Sequence, residues 1–306
     1  MSHSGLIPVR RDNFSVRAQE SIAGYVLSAP AVLTLAVFTM IPVLTALVLV
    51  FTKYPLLSPP EWNRLENFGR LFTDELLWIC YRNSLIITVG TVVFNNILGL
   101  ATAIGVNRRM PRVLSYFFRT AFFFPFMTAT ATLAMVWRML LATDRGILNW
   151  IIGQVGLAPI PWLSSSTWSI PSVIIYDVWK SFGFLMVLYL AGLQGIPESL
   201  YEAGKIDGAS HWQLTRHITL PLITPTAFMC FIISSIGAFQ IFDNAYVLTN
   251  GGPGSSSMTI VMYIYEISFR RFEMGYASLV AVSLMAILIL LTLFQFWAGR
   301  KWVHYE

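Results

Sequence analysis

The chain has 306 residues, of which 56% are hydrophobic and only 11% are Asp, Glu, Lys or Arg. An ordinary soluble domain carries about 25% charged residues, so this chain has too few polar side chains to cover a water-facing surface of its size. That excludes a soluble globular enzyme, a disordered chain and a secreted disulfide scaffold, and leaves an all-α polytopic membrane protein. The net charge of +5 comes from lysines and arginines that mostly flank apolar runs, the arrangement that orients membrane helices, so it implies no nucleic acid. Two cysteines, Cys80 and Cys230, and four histidines form no disulfide, zinc or metalloprotease pattern, and no phosphate-binding glycine loop is present.

Six stretches are long and apolar enough to be read as transmembrane helices, each needing roughly 20 residues. The first runs from about Ile22 to Phe51, too long for a signal-peptide apolar region, with Pro30 and Pro42 inside it. The second runs from about Ser84 to Val106 and stops at Asn107-Arg108-Arg109. The third covers about Tyr116–Leu141, the fourth Ile170–Leu193 and the fifth Leu222–Leu248. The sixth covers about Tyr276–Trp297 and stops at Gly299-Arg300-Lys301. This divides the chain into a tail (1–21), a first transmembrane helix (22–52), an external segment (53–83), a core with five transmembrane helices (84–298) and a second tail (299–306).

An even number of spans puts both termini on one side. That side carries the larger and closer set of basic residues, among them Arg10, Arg11, Arg108, Arg109, Arg112, Lys205, Arg216, Arg300 and Lys301, so both termini are expected to be cytoplasmic. The other side receives Lys53–Arg82, Ala142–Ser169 and Thr249–Gly275, rich in Pro, Gly and Trp. These segments read either as interfacial caps or as a surface for an external partner.

Charged and polar residues inside spans are costly and mark bundle interiors or water paths. Asp177 and Lys180 are three apart in the fourth span and share a helix face, so they read as a pair. Gln240, Asp243 and Asn244 cluster with Phe239, Phe242 and Tyr246 in the outer half of the fifth. Aromatic faces beside amides and carboxylates suit a sugar, and the same set could simply order the outer end of the bundle. Asn95 and Asn96 read as helix–helix hydrogen bonders, and the phenylalanine run Phe117–Phe124 as packing.

The longest cytoplasmic loop, 194–221, reads as two short helices with a break. Pro197 suits a first helical position, Glu198 a first turn, Gly208 a C-terminal stop, and Ser210 with Gln213 a capping box. Within it, Glu202-Ala203-Gly204, three residues, Gly208, nine residues, Ile218, one residue and Leu220-Pro221 resembles the EAA loop of the permease subunits of binding-protein-dependent ABC importers. The one departure is Gly204, where that pattern has a second alanine. Flanking runs around Trp179-Lys180, Ala191–Pro197 and Phe239–Pro253 are similar to the carbohydrate and glycerol-3-phosphate (maltose-type) branch.

The resemblance implies a type I ABC importer permease fold, multi-pass in a bacterial or archaeal cytoplasmic membrane. It implies a second homologous permease, two ATPase subunits that hold the ATP and Mg, an extracytoplasmic binding protein, and no cofactor or catalytic residue in this chain. Glu202, Ala203, Gly204, Asp207, Gly208, Ile218, Leu220 and Pro221 would couple to the ATPase, and Asp177, Lys180, Gln240, Asp243 and Asn244 would be candidates for the substrate pathway. The cargo would be a di- or oligosaccharide, with glycerol-3-phosphate or a related polyol or phosphodiester as the alternative. An ion-coupled secondary transporter would be expected to show internal repeats and mid-membrane carboxylates. An intramembrane enzyme would need a catalytic constellation. The halves show no repeat and only Asp177 is placed deep, and no Ser/His, paired-Asp or His-rich set lies in the spans.

Overall fold

A computed structural model describes residues 14–55, 57–107 and 111–300. Arg10, Arg11, Arg108, Arg109 and Lys301, used above for orientation, lie outside the described residues. Helix α1 (Phe14–Leu35), a π turn (Ala36–Met40) and α2 (Ile41–Leu49) follow one another and form the first long apolar helix. The most apolar stretch of Ser21–Leu49 has no buried residue, although α2 lies against α15, so most of its apolar surface is left for lipid or another subunit. A two-residue antiparallel ladder follows, β1 (Thr52–Lys53) against β2 (Glu61–Trp62), with Thr52 opposite Trp62. This small ladder is the one departure from an all-helical architecture among the described residues.

Next come α3 (Glu66–Thr73), α4 (Glu75–Val106), α5 (Arg112–Met127), α6 (Thr130–Leu140), α7 (Ile147–Gln154) and α8 (Ser169–Gln194). The chain continues with α9 (Glu198–Ile206), α10 (His211–Leu214), a second π turn (Thr215–Thr219), α11 (Leu220–Leu222), α12 (Thr224–Phe239) and α13 (Asp243–Thr249). It ends with α14 (Ile260–Tyr265), a third π turn (Glu266–Arg270) and α15 (Met274–Gly299). Four helices are long and apolar enough to cross a membrane: Ser21–Leu49, α4, α8 and α15. The count reaches six when each of two bent pairs is taken as one span, α5 with α6 (98°) and His211–Leu222 with α12 (64°).

Three of the expected helices differ. The second starts at Glu75 rather than Ser84, because Asp74 caps it and the polar stretch before Ser84 stays helical outside the apolar run. The third breaks at Thr128–Ala129, where both residues turn extended (ψ 147° and 122°) just after Pro125. The fifth breaks after Phe239, so Gln240 lies in the break and Asp243 and Asn244 open a separate short helix.

The centre is the pair α4 and α8, with α5 against α8 and α12 against α4. Small residues permit these approaches, as they do in lipid generally. At Gly183 a Cβ would fall 1.8 Å from the Phe122 carbonyl oxygen, so no other residue fits without parting α5 from α8. Phe118 stacks on Phe122 and Phe126 on Phe184, confirming the phenylalanine run as packing. Asn96 bridges three helices: Tyr189 Oη donates to its Oδ1 at 2.7 Å, and its Nδ2 donates to Ser234 Oγ at 3.1 Å. Asn95 is buried, and its Oδ1 has no hydrogen-bond partner among the described residues.

At the opposite end from the 194–221 loop, Asp74 ties α4 to α14 and α15. The Leu77 amide donates to Oδ1 (3.2 Å), and Tyr263 and Tyr276 Oη both donate to Oδ2, the latter at 2.7 Å. Beside it, Arg70 pairs with Glu273 and lies 4.0 Å from the centre of the Tyr276 ring. Burial presses the Asp74 carboxyl upward, but these hydrogen bonds and the Arg70 charge outweigh it and hold it below the usual carboxylate range. A lowered folded pKa contributes stability above the unfolded value and loses it as pH falls through the folded one. Asp74→Asn keeps a capping side chain but removes the charge. It should cost on the order of 1 kcal/mol at neutral pH, allowing for partial exposure. Thermal unfolding in detergent should show the gap to the natural chain closing as the pH is lowered into the acid range.

Candidate functional site

The loop after α8 is built as a stiff unit. Pro197, at φ −57° and ψ 129°, is the N-cap of α9, one position earlier than expected, and Glu198 opens the first turn. Helix α9 closes at Asp207 with Gly208 left-handed at φ +79°. The Gly208 amide donates to Lys205 O (3.0 Å) and the Ala209 amide to Gly204 O (2.9 Å), a paired closure that only a residue free of a Cβ adopts without strain. The expected capping box is formed: Gln213 N–H donates to Ser210 Oγ (3.4 Å) and Ser210 N–H to Gln213 Oε1 (2.7 Å).

The two short helices then fold on each other. A Cβ at Gly204 would lie 2.6 Å from Leu214 Cδ2 and 3.4 Å from Ile218 Cδ1, so the departure from the alanine pattern sits at the closest point of the hairpin. Tyr201 Oη and Thr219 Oγ1, 3.0 Å apart, pin the far end. Tyr201, Leu214 and Thr219 were not singled out by spacing, since what unites them is a tertiary contact. Of the eight residues expected to couple, Glu202, Ala203, Asp207 and Gly208 are exposed and Leu220 partly so. Gly204, Ile218 and Pro221 are half-buried, and Gly204 and Ile218 meet across the hairpin. Ile206 (87% exposed) and Trp212 (68%) add apolar surface to the outward side. Behind the hairpin an open cleft of ≈ 840 Å³, lined by Asn107, Gln194, Tyr201, Lys205 and His211 among others, separates it from the ends of α4 and α8.

The second constellation lies on α8. Asp177 and Lys180 are both buried, but no ion pair joins them among the described residues. Instead Asn244, in the first turn of α13, donates Nδ2 to Asp177 Oδ1. The break before α13 brings the asparagine across, a contact that a continuous fifth helix would not give. Lys180 Nζ stands 5.4 Å from the centre of the Phe126 ring, within reach of the fields of Asp177 and Asp243.

Around this pair stand aromatic faces. Trp137 packs on Tyr176 (5.7 Å) and Trp179 (5.2 Å), and Phe242 stacks on Tyr246 (5.2 Å) with Tyr265 against both. Arg270 Nη2 donates to Tyr246 Oη at 3.2 Å. Asp243 is exposed at the edge. Gln240 is not brought to this cluster: it lines a separate, mainly apolar groove between α12 and α15. Trp137 and Tyr176 went unnoticed in the sequence because they lie on helices far apart in the chain.

A family model for the inner membrane component of binding-protein-dependent transport systems matches residues 95–304. The chain belongs to this family. Probable ABC transporter permease protein YesP of Bacillus subtilis is 34% identical over 293 residues, covering 94% of both chains. The lactose transport system permease protein LacF of Rhizobium radiobacter is 31% identical, covering 94% of this chain and 97% of its own. The sulfoquinovosyl glycerol transport system permease protein SmoG of Agrobacterium fabrum is 31% identical, covering 89% of each. Among solved structures, a bacterial ABC transporter that imports alginate is 22% identical with a TM-score of 0.82, over 93% of this chain and 97% of that one, and so shares the fold. The family match includes the whole 194–221 loop and both elements of the α8–α13 constellation. The chain is therefore a multi-pass ABC transporter permease.

The hairpin geometry separates its two glycines. Gly208→Val would force a β-branched residue to φ +79° and should destabilise the loop by about 1–2 kcal/mol. Gly204→Ala meets only the mobile end of Leu214 and gains helix propensity of up to about 1 kcal/mol, so it should be near neutral. Amide hydrogen exchange across 198–222 checks both: faster in the valine variant, unchanged in the alanine one.

Proposed function

We propose that this chain is one of two permease subunits of an ATP-driven importer that carries a sugar inward across the cytoplasmic membrane of a bacterium or archaeon. In this reading each bent helix pair is one span, giving six, and both termini are cytoplasmic. A second homologous permease completes a heterodimer. Two ATPase subunits hold the ATP and Mg, so this chain performs no hydrolysis itself. An extracytoplasmic binding protein delivers the cargo. The family description, a component of a binding-protein-dependent system, supports the last element.

The observation that carries the reading is the α9–α10 hairpin: a doubly capped unit with Glu202, Ala203, Ile206 and Trp212 facing away from the bundle. An uncapped loop would yield under load. A capped hairpin braced by Gly204 against Leu214 passes a push on to α8 and α12. Glu202 is the polar anchor on the ATPase side. The two-state equilibrium of the permease shifts by the difference in how well each state fits the closed and open ATPase pair.

The saccharide assignment rests on the chemistry of the second constellation and on relatives whose names specify lactose and trehalose/maltose transport. Indole and phenol faces cover the apolar faces of a sugar ring, while Asp177, Asn244 and Asp243 offer acceptors and donors to its hydroxyls. Asp177 and Asp243 stand against the single ammonium of Lys180, and Arg270 at the edge is paired with Glu266 (3.4 Å), a balance that favours a neutral sugar over glycerol-3-phosphate or another phosphate ester, which would call for a basic lining.

Glu202→Arg should leave membrane insertion intact and abolish ATPase co-purification and uptake; normal uptake would remove the coupling assignment. Asn244→Ala should lower sugar uptake in proteoliposomes by about tenfold or more, the loss expected for one buried hydrogen bond to a charged group, while the ATPase subunits still co-purify. Binding of the partner binding protein to a panel of neutral saccharides and glycerol-3-phosphate decides the cargo. A preference for the phosphate ester would overturn the neutral-sugar reading.

A further inference from the structure

We propose that α7 and the turn after it form a foot seated in the interfacial layer of the bilayer, with lipid as its partner. The segment 146–169 contains no Asp, Glu, Lys or Arg. Charges border it: Asp144 and Arg145 stand just before it in the same external segment, and the other two segments on this side carry Glu61, Arg64 and Glu66, and Glu266, Arg270 and Arg271. A surface that meets water or a soluble protein keeps a polar rim. A charge-free segment with a tryptophan at its centre matches the headgroup boundary instead.

The geometry gives this segment a fixed outer face. Asn149 is buried beneath α7 and makes four hydrogen bonds: Nδ2 donates to Thr143 O (2.9 Å) and Ile160 O (2.8 Å), and Oδ1 accepts from Ile160 N–H (3.0 Å) and Trp162 Nε1 (2.9 Å). That clamp turns the opposite face outward, with Ile147, Trp150 and Ile151 at i, i+3 and i+4 and each at least half exposed. Val155 and Leu157 prolong the patch. Helix α6, which packs on α7, exposes Met135, Val136 and Met139 with Arg138 among them, and the exposed Asp144-Arg145 turn stands between that surface and α7. An apolar face anchored by an interfacial tryptophan suits the headgroup boundary.

The inference rests on the membrane reading of the chain but not on its orientation, since a depth measurement is the same in either leaflet. Trp150→Cys, and separately Ile151→Cys, would carry a nitroxide in the full chain co-expressed with its partner subunits and placed in phosphatidylcholine–phosphatidylglycerol nanodiscs. Cys80 and Cys230 are buried, which directs the label to the new site. Glu61→Cys, on the charged segment, is the water-exposed reference. Collisions with oxygen should exceed those with a water-soluble nickel chelate at 150 and 151, and the order should reverse at 61, with the accessibility ratio differing severalfold. Free access of the nickel chelate at 150 and 151 would place the foot in water. Protection from both agents would place it against protein. Either result overturns the proposal.

Discussion

A backbone amide or carbonyl that leaves its helix inside a membrane finds no water, so the protein itself has to supply its partner. Helices meet that demand unaided. Breaks do not, and this chain breaks two of its apolar runs. At the first, Thr128 Oγ1 donates back to Phe124 O (3.1 Å) and Tyr176 Oη donates to Thr130 O (2.8 Å). At the second, Thr259 Oγ1 donates to Ile241 O (2.8 Å), and the start of α14 is held by Ser84 Oγ accepting from Ile260 N–H (2.9 Å). The side chains that repair the breaks are the ones that organise the interior.

Two of them are neighbours. Tyr176 holds the α5–α6 break, and Asp177, the next residue, accepts from Asn244 just past the α12–α13 break. One dipeptide on α8 therefore ties both irregular regions to the most buried long helix in the bundle. The position of a charged residue there follows from the same constraint. A carboxylate is expensive inside a bundle unless it is bonded, and Asn244 supplies the bond. The break that costs backbone hydrogen bonds is also what brings Asn244 to Asp177, so irregular backbone and buried charge compensate each other.

This explains which features the sequence displayed. Apolar length revealed six runs, and local spacing revealed the Gly208 stop and the Ser210–Gln213 capping box, because each depends on residues within one or two turns. The Asp177–Asn244 contact depends on residues 67 apart in the chain, and the apparent alternative, Asp177 with Lys180, was favoured by spacing alone. The breaks were hidden for a related reason. Pro125 marks the first, but Phe239 to Phe242 carries no proline or glycine, and its one polar residue, Gln240, does not by itself end a helix. A tertiary partner, Thr259 bonded to Ile241 O, holds the chain there, and no local pattern announces it. The clip at the other end is equally nonlocal: Asn67 donates to Val50 O and Thr52 O, and Met274 N–H to Tyr54 O, joining the ladder to the start of α15.

Helix α8 gives this arrangement a mechanical consequence. It runs unbroken from Asp177 to Gln194, about 26 Å at 1.5 Å per residue, and enters the capped hairpin after only three further residues, Gly195 to Pro197. Buried faces lie along its whole length, against α4 and α5, with Gly183 allowing α5 to approach to backbone contact. A packed helix of that kind resists compression, so in the proposed importer a displacement of the hairpin would reach the level of Asp177 as a displacement of the helix. At that level the two broken runs meet it through Tyr176 and Asp177. The breaks are the places where backbone torsions can change without unwinding a helix, so motion arriving along α8 would be taken up at Thr128–Ala129 and at Gln240–Phe242. In the proposed importer the packed helix and the two breaks would be complementary: the first would convey a movement, and the second would turn it into a change of shape around the buried polar pair.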